Sequence, residues 1–236
     1  MKERILNLLF PPQCLNCDVR VPTHGTLCLP CWQQIGFISD PMCECCGLPF
    51  DYDIGEHALC ASCLQTRPAY GRARAAFRYD EHSRKLITRF KYADQTQLAK
   101  IYGTWLAKAG GEIIAQTDII IPVPLHYWRF VHRRFNQSAL LAQVVSRKTG
   151  LKYLPNGIKR TRHTTPQTGL TRKQREKNVK GAFIIPPRYA EKIKGRNILL
   201  IDDVITTGST IEQCTKILLK AGAAQVNVLT LARTVK

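Results

Sequence analysis

Hydrophobic positions in the second part of the chain follow two alternating periods. Four apolar runs predict buried strands: DIIIPVP, GAFII, NILLIDD and QVNVLTLA. The segment ARAAFRY alternates as a half-buried strand does. Four segments have apolar residues at helical spacing: SRKLITRFKY, QTQLAKIYGTWLAKAG, NQSALLAQVVSRKTG and STIEQCTKILLKAGA. Because strands alternate with helices, the pattern predicts an α/β domain with a parallel sheet and crossover helices.

The first part of the chain lacks this alternation and is rich in cysteine instead. Nine of the ten cysteines lie between Cys14 and Cys63. Eight of them form four CxxC pairs, and two facing pairs give a four-thiolate site suited to zinc. The pattern predicts two structural zinc ions, bound by Cys14, Cys17, Cys28, Cys31, Cys43, Cys46, Cys60 and Cys63.

The cysteine pattern allows more than one pairing of the CxxC motifs and more than one role for them. Pairing within each half is the simplest arrangement, and interleaved pairing is an alternative. A redox CxxC is the other reading of such a pair, but it normally stands alone near a βαβ unit and not in a series of four. We expect Cys45 to have no ligand role. The linker LQTRPA then predicts a module over residues 1–66 and a second domain over residues 67–236.

Charge is distributed unevenly along the 236 residues, whose net charge is +18. Residues 119–181 hold 14 basic side chains and one acidic side chain, whereas residues 1–66 hold three and seven. A solvated surface is one explanation, but so large a local excess favours an anionic partner. The opening MKERILNLLF has no small-residue cleavage site and predicts an amphipathic helix, so we expect a cytoplasmic protein without a membrane span.

Two adjacent carboxylates follow the apolar run NILLI and precede a turn of small residues. Asp202 and Asp203 fall at the carboxyl end of that predicted strand, where parallel sheets bind ligands. Gly208 permits close backbone approach, and the N–H groups at the start of the next helix favour phosphate. The acids would repel phosphate, so they must face hydroxyl groups or a bridging Mg²⁺. The segment therefore predicts a site for a ribose 5-phosphate.

The run from Ile198 to Thr210 consists of four apolar residues, two acids, two further apolar residues and TTGST, and it resembles the PRPP-binding motif of type I phosphoribosyltransferases. That resemblance implies their fold, in which the loop near residues 123–125 touches pyrophosphate and residues 161–180 form a closing loop. It makes Asp202 and Asp203 the catalytic carboxylates, with Mg²⁺ accompanying PRPP. The residues it implies in PRPP binding are Val123, Pro124, Arg175, Asp202, Asp203, Thr206, Thr207, Gly208, Ser209 and Thr210.

Further segments narrow the resemblance to the ComF family of bacterial competence proteins, which carry an N-terminal double zinc ribbon. IIPVPLHYWRFVHRRFNQSALLA is similar to that family's VPVPL and RGFNQ segments, and FKYAD, with Lys91, also has a counterpart. The resemblance extends over KRTRHTTPQTGLTRKQREKNVKGAF and almost the whole chain. Arg134 departs from the pattern, because the family has glycine there.

Two functions from different classes fit these observations. Family resemblance implies a protein that handles single-stranded DNA in the cytoplasm during natural transformation, with PRPP as ligand or substrate and other DNA-uptake proteins as partners. Aromatic side chains interleaved with arginines suit single-stranded DNA, which needs a basic groove and rings on which bases can stack. The alternative interpretation of these aromatic residues is that they form the packed face of a helix. The candidate residues are Trp128, Arg129, Arg133 and Arg134. The second hypothesis is an active phosphoribosyltransferase in nucleotide salvage, and the resemblance leaves transferase activity open.

Overall fold

The computed structural model describes residues 10–92, 98–125, 135–161, 174 and 181–235. The helix predicted for MKERILNLLF and most of the predicted closing loop lie outside these residues. So do five of the predicted site residues: Trp128, Arg129, Arg133, Arg134 and Arg175. None of the described helices is both long and apolar enough to cross a membrane.

The described elements begin with two short helices in the cysteine module and continue as alternating strands and helices. In chain order they are α1 (Leu29–Gln34), α2 (Ala61–Gln65), β1 (Ala73–Arg78), α3 (Glu81–Tyr92), α4 (Leu98–Ala109), α5 (Gly111–Ile114), β2 (Ile119–Pro122), α6 (Gln137–Thr149), β3 (Lys152–Tyr153), β4 (Lys159–Arg160), β5 (Phe183–Ile184), α7 (Pro187–Ile193), β6 (Asn197–Ile205), α8 (Ser209–Lys220) and β7 (Gln225–Arg233).

Five strands form the central sheet in the order β1-β7-β6-β2-β3, and each neighbouring pair is parallel. Alternate residues of a strand face opposite sides of a sheet. Ile198 and Leu200 of β6 accordingly pack with α7 and α8, whereas Leu199 and Ile201 pack with α3, α4 and α6. The predicted parallel sheet with helices on both faces is confirmed.

One predicted strand has a different place from the one expected. The GAFII segment contributes β5, which pairs antiparallel with β4 in a separate two-stranded sheet. Its Phe183 is buried in the cluster on the α8 side of the main sheet, and Arg160 of β4 stacks on that ring with its guanidinium carbon 5.4 Å from the centroid. An apolar run in the sequence indicates that a strand is buried, but it does not indicate which sheet the strand joins.

The prediction that β1 is half-buried is wrong, because its residues 73–77 are all buried. The cysteine module covers this outer strand of the sheet. Ala73 donates a backbone hydrogen bond to the carbonyl of Cys45 at 2.7 Å, and Arg78 donates one to Gly36 at 2.8 Å. Gly47, with φ of 65°, lies so near the carbonyl of Ala73 that a Cβ would clash with it. The module therefore covers a sheet edge that would otherwise expose unpaired backbone groups.

Candidate functional site

Two groups of four cysteines come together in the N-terminal module, one in each half of it, and we call these halves the first and the second ribbon. The first cluster is Cys14, Cys17, Cys28 and Cys31, and the second cluster is Cys43, Cys46, Cys60 and Cys63. The ligand atoms of each group all lie within 4.8 Å of one another. Zinc with bonds of about 2.3 Å to four tetrahedral sulfurs would set neighbouring sulfurs about 3.8 Å apart. The Sγ atoms of Cys17 and Cys28 are 3.5 Å apart, and those of Cys46 and Cys60 are 3.6 Å apart. The donor sets therefore fit zinc, with pairing within each half.

Backbone N–H groups support the sulfurs in both clusters in the same way. The N–H of Cys28 donates to Sγ of Cys14 at 3.2 Å, and the N–H of Cys60 donates to Sγ of Cys43 at 3.3 Å. The pKa of Cys43 is lowered to about 4, first by its hydrogen bond to Cys46, against the opposing effect of burial. Such N–H donors stabilise thiolates, which are the form that binds metal.

Cys45 lies outside both groups, as expected, although it sits between two of their members in sequence. Its side chain is buried, and burial raises the pKa of its thiol. The tenth cysteine, Cys214, is buried in α8 within the core on that side of the sheet. Neither thiol belongs to a metal-binding cluster among the described residues.

The predicted phosphate turn lies between β6 and α8. Strand β6 includes both Asp202 and Asp203 and ends only at Ile205. Gly208 has φ of 75°, a left-handed conformation that favours glycine, and it immediately precedes the first residue of α8, Ser209. The hydroxyl oxygens of Thr207 and Ser209 are 3.0 Å apart. Ser209 and Thr210 therefore belong to the first helical turn, with Thr206 and Thr207 in the bend before it.

The two carboxylates of β6 have different surroundings. Asp202 accepts a hydrogen bond from Oγ of Ser138 at 2.9 Å, whereas Asp203 pairs with Lys91, whose Nζ lies 3.1 Å from its Oδ2. Burial raises the pKa of Asp202 to about 7, and the charge of Asp203 adds to the shift. The hydrogen bond from Ser138 and the charge of Lys91 act in the opposite direction. The site therefore contains a carboxyl group poised near neutral pH.

The start of α6 connects the elements around these carboxylates. Asn136 caps the helix by accepting from the N–H of Ser138, and its amide donates to the carbonyl of Val123 at 3.0 Å. The side chain of Gln137 donates to the carbonyl of Lys91 at 3.2 Å. From its sequence, the helical segment NQSALLAQVVSRKTG could begin at either Asn136 or Ser138 as its cap, and Asn136 is the cap in the structure. The contacts of Gln137 with Lys91 and of Ser138 with Asp202 were not predicted, because they depend on α6 meeting α3 and β6 in space.

The loop after β2 reaches the same edge of the sheet. The N–H of Val123 donates to the carbonyl of Ile201 at 2.8 Å, so Val123 and Pro124 follow the strand next to β6 at its carboxyl end. Val123 is buried and Pro124 is half-buried. The structure thus brings together the predicted residues of β6, the turn and the β2 loop.

Family models match both parts of the chain. One for a double zinc ribbon domain matches residues 5–67, and one for a phosphoribosyl transferase domain matches residues 136–235. Together with the parallel sheet and the two cysteine clusters, these matches define a protein with a phosphoribosyltransferase fold and an N-terminal double zinc ribbon.

Relatives of this chain are similar along almost its full length. Competence protein F of Haemophilus influenzae is 35% identical over 95% of this chain and 98% of its own. DNA utilization protein YhgH of Escherichia coli strain K12 is 32% identical, with 96% and 99% covered. Competence protein ComFC of Bacillus subtilis is 25% identical, with 94% and 95% covered. The chain belongs to the ComF family.

Proposed function

We propose that this protein binds PRPP together with Mg²⁺ at the carboxyl ends of β2 and β6. The observation that carries the proposal is the position of Asp202 and Asp203 in the last part of β6, the strand that leads into the left-handed Gly208 and the first turn of α8. Helix N–H groups and hydroxyls suit the 5-phosphate, and carboxylates suit ribose hydroxyls or Mg²⁺. The match to a phosphoribosyl transferase domain over residues 136–235 supports this assignment.

Isothermal titration of the full-length protein with PRPP tests the proposal. We expect binding that needs Mg²⁺ and that falls at least tenfold when Asp202 and Asp203 are both changed to Asn. Asp118→Asn is the matched control, because Asp118 lies at the opposite end of the sheet, before β2, and bonds to the N–H of Asn197. Undiminished binding in the double variant would show that the ribose lies elsewhere.

The proposed biological role is the handling of single-stranded DNA in the cytoplasm during natural transformation, alongside other DNA-uptake proteins. Relatives named as competence and DNA utilization proteins support it. The charge of residues 119–181 supports it as well, because neutralising phosphates drives binding to nucleic acids. Four basic residues of that segment are described and exposed: Arg147, Lys148, Lys152 and Lys159.

Fluorescence anisotropy with a labelled oligonucleotide tests this role. Each phosphate neutralised on a single strand should steepen the log–log salt dependence by ~0.7. Changing Arg129, Arg133 and Arg134 to Ala should weaken binding and flatten that slope. Trp128→Ala should weaken binding by ~1–3 kcal/mol through lost stacking and leave the slope unchanged. Binding that is insensitive to salt would contradict the assignment.

A phosphoribosyltransferase in nucleotide salvage is the alternative function. The observation that favours it is the placement of Asp202 and Asp203 side by side, with Ser138 bonded to the first and Lys91 paired with the second. Burial raises the pKa of Asp202 to about 7 in these surroundings, a value suited to proton transfer. Exchange of labelled pyrophosphate into PRPP in the presence of a panel of bases tests it. Exchange that depends on one base would establish a transferase, and no exchange with any base would leave PRPP as a bound ligand.

A further inference from the structure

We propose that the first zinc ribbon positions Lys91 in the candidate PRPP site, by means of an ion pair between Asp18 of the ribbon and Arg89 of α3. Asp18 and Arg89 are therefore positioning residues that act through the last turn of this helix. The inference rests on the proposed PRPP function, and one arm of its test is independent of PRPP.

The first cysteine cluster fixes the place of Asp18. Asp18 directly follows Cys17 and has a left-handed φ of 67°. Its N–H donates to the carbonyl of Cys14 at 3.3 Å, and the N–H of Cys14 donates to the carbonyl of Val19 at 2.8 Å. The turn that carries Asp18 is thus closed by the backbone of Cys14, and Cys14 and Cys17 within the same segment contribute two sulfurs to the cluster.

Arg89 joins α3 to this turn through two groups of the ribbon. Its Nη2 lies 2.5 Å from the Asp18 carboxylate, and its Nη1 donates to the carbonyl of Leu15 at 3.0 Å. Lys85, one helical turn earlier, also contacts Asp18 at 3.2 Å, but its side chain is 51% exposed against 20% for Arg89. Arg89 is therefore the stronger contact, because solvent screens an exposed pair and a planar guanidinium makes several hydrogen bonds.

The same helical turn carries Lys91 on its other side. Residues two positions apart in a helix project about 200° from each other, so Arg89 and Lys91 point to opposite sides. Between them Phe90 is fully buried, with its ring 5.2 Å from that of Tyr102. Lys91 reaches Asp203 at 3.1 Å, and its carbonyl accepts from Gln137. The last turn of α3 thus lies between the first ribbon and the carboxylate pair.

This arrangement gives the ribbon an effect on ligand binding without contact to the ligand. Lys91 supplies a cation beside Asp203, at the place where the proposed anionic ligand meets the two acids. A lysine held in place before binding loses less conformational freedom when the ligand arrives. When the Asp18–Arg89 contact is broken, the last turn of α3 should become more mobile and PRPP affinity should fall.

Titration calorimetry with Mg²⁺ and PRPP on the full-length protein measures this effect. We expect Arg89→Met to weaken PRPP binding about three- to tenfold, Asp18→Asn by a similar factor and Lys85→Met by less than about twofold, in the order of their contacts. Arg89→Lys should restore part of the loss. The matched control is Asp51→Asn, the same change at an exposed residue of the second ribbon, and it should leave affinity unchanged. Zinc content is measured for every variant.

A double-mutant cycle separates positioning from a general loss of structure. In a Lys91→Met background, Arg89→Met should cause no further loss of affinity, because the group that it positions is gone. Equal losses in both backgrounds would overturn the inference, as would unchanged affinity for Arg89→Met in the wild-type background.

The rate at which Lys91 reacts with an amine reagent tests the inference without PRPP. Lys91 is 23% exposed and ion-paired, so an amine acetylating reagent should modify it slowly. Its labelling rate, measured by mass spectrometry, should rise severalfold in Asp18→Asn and Arg89→Met, with Lys152 as an internal control. Unchanged labelling would overturn the inference. Failure of the wild-type protein to bind PRPP, with labelling as expected, would overturn the proposed function alone.

Discussion

The cysteine clusters and the carboxylate pair both place acidic side chains close together, but the two sites differ in how the negative charge is neutralised. Each cluster brings four sulfurs within 4.8 Å in a closed set that fits one metal ion. Asp202 and Asp203 instead share one lysine, and burial raises the pKa of Asp202 to about 7. Closed sets contribute to stability when metal binds. A half-buried acid whose charge is not fully compensated costs stability, and it stays available to a ligand.

The two ribbons also differ from each other. All four cysteines of the second cluster are buried, and they belong to the same core as Ile198 and Val228 of the sheet. The first cluster packs in a small core of its own, and its Cys17 is exposed. Loss of the second metal should therefore affect the whole protein, and loss of the first should have a more local effect.

The largest effect is expected for Cys60→Ser. Removing one ligand from the buried cluster should cost several kcal/mol, because metal binding is part of the folding free energy, and should lower Tm by about 10 °C or more. Differential scanning calorimetry with zinc analysis measures it. Cys45→Ser is the control, as the same change at a buried cysteine outside the cluster, and it should retain zinc. An equal loss of Tm in both variants would show that the metal contributes little.

A smaller effect is expected for Cys17→Ser, in the exposed part of the first cluster. We expect about half of the zinc to be lost and Tm to fall by only a few degrees, since this ribbon has its own small core. Hydrogen exchange should show loss of protection in the first ribbon and retention in the sheet. A global loss as large as that of Cys60→Ser would remove the difference between the ribbons.

Asp202→Asn should increase the stability of the protein, whereas the two cysteine substitutions should decrease it. The folded-state pKa of Asp202 is raised to about 7 from an ordinary value of 3.8, so the folded protein holds its proton more tightly than the unfolded chain. The charged carboxylate therefore costs stability as pH rises from about 4 to 7, and that cost remains above pH 7.

Replacement by Asn should stabilise the protein by about 1–3 kcal/mol at pH 8 and by almost nothing at pH 4. Urea unfolding at both pH values measures the difference. Asp118→Asn is the control, because it is the same change at an exposed carboxylate far from Asp202 and should bring no comparable gain. The same gain for Asp202→Asn at both pH values would contradict the raised pKa.

The smallest effect concerns the ion pairs of Arg72, a residue of the sheet domain that lies at the contact with the second ribbon. Arg72 pairs with Glu44 and, at 3.3 Å, with Glu112, and its side chain is 30% exposed. Arg72→Met should cost less than about 1 kcal/mol, and the cost should shrink in 1 M salt.

Arg74→Met is the comparison, because Arg74 is 5% exposed and also donates to the carbonyls of Glu44 and Ala73. It should cost more than Arg72→Met, and salt should reduce that cost less. If the two variants lost the same stability and high salt removed both losses, charge alone would account for the contribution of these arginines, and the hydrogen bonds of Arg74 would add nothing. Urea unfolding at low and high salt measures both.

Local residue order determined the pieces of this protein. The CxxC spacing predicted eight ligands, and the run from Ile198 to Thr210 predicted strand, glycine turn and helix, because these features depend on neighbours within a few positions. Asn136 and Gly150 likewise mark the ends of α6, where a cap and a left-handed residue are local requirements.

Tertiary structure alone decided which pieces meet. The outer edge of β1 is covered because Cys45 and Gly36, which lie far from it in sequence, accept its backbone hydrogen bonds. Ser138 beside Asp202, Lys91 beside Asp203 and Asp18 beside Arg89 join residues 64, 112 and 71 positions apart. Periodicity reports the environment of a side chain and not the identity of its neighbours. A contact between distant residues exists only once the sheet order and the helix packing have placed them together.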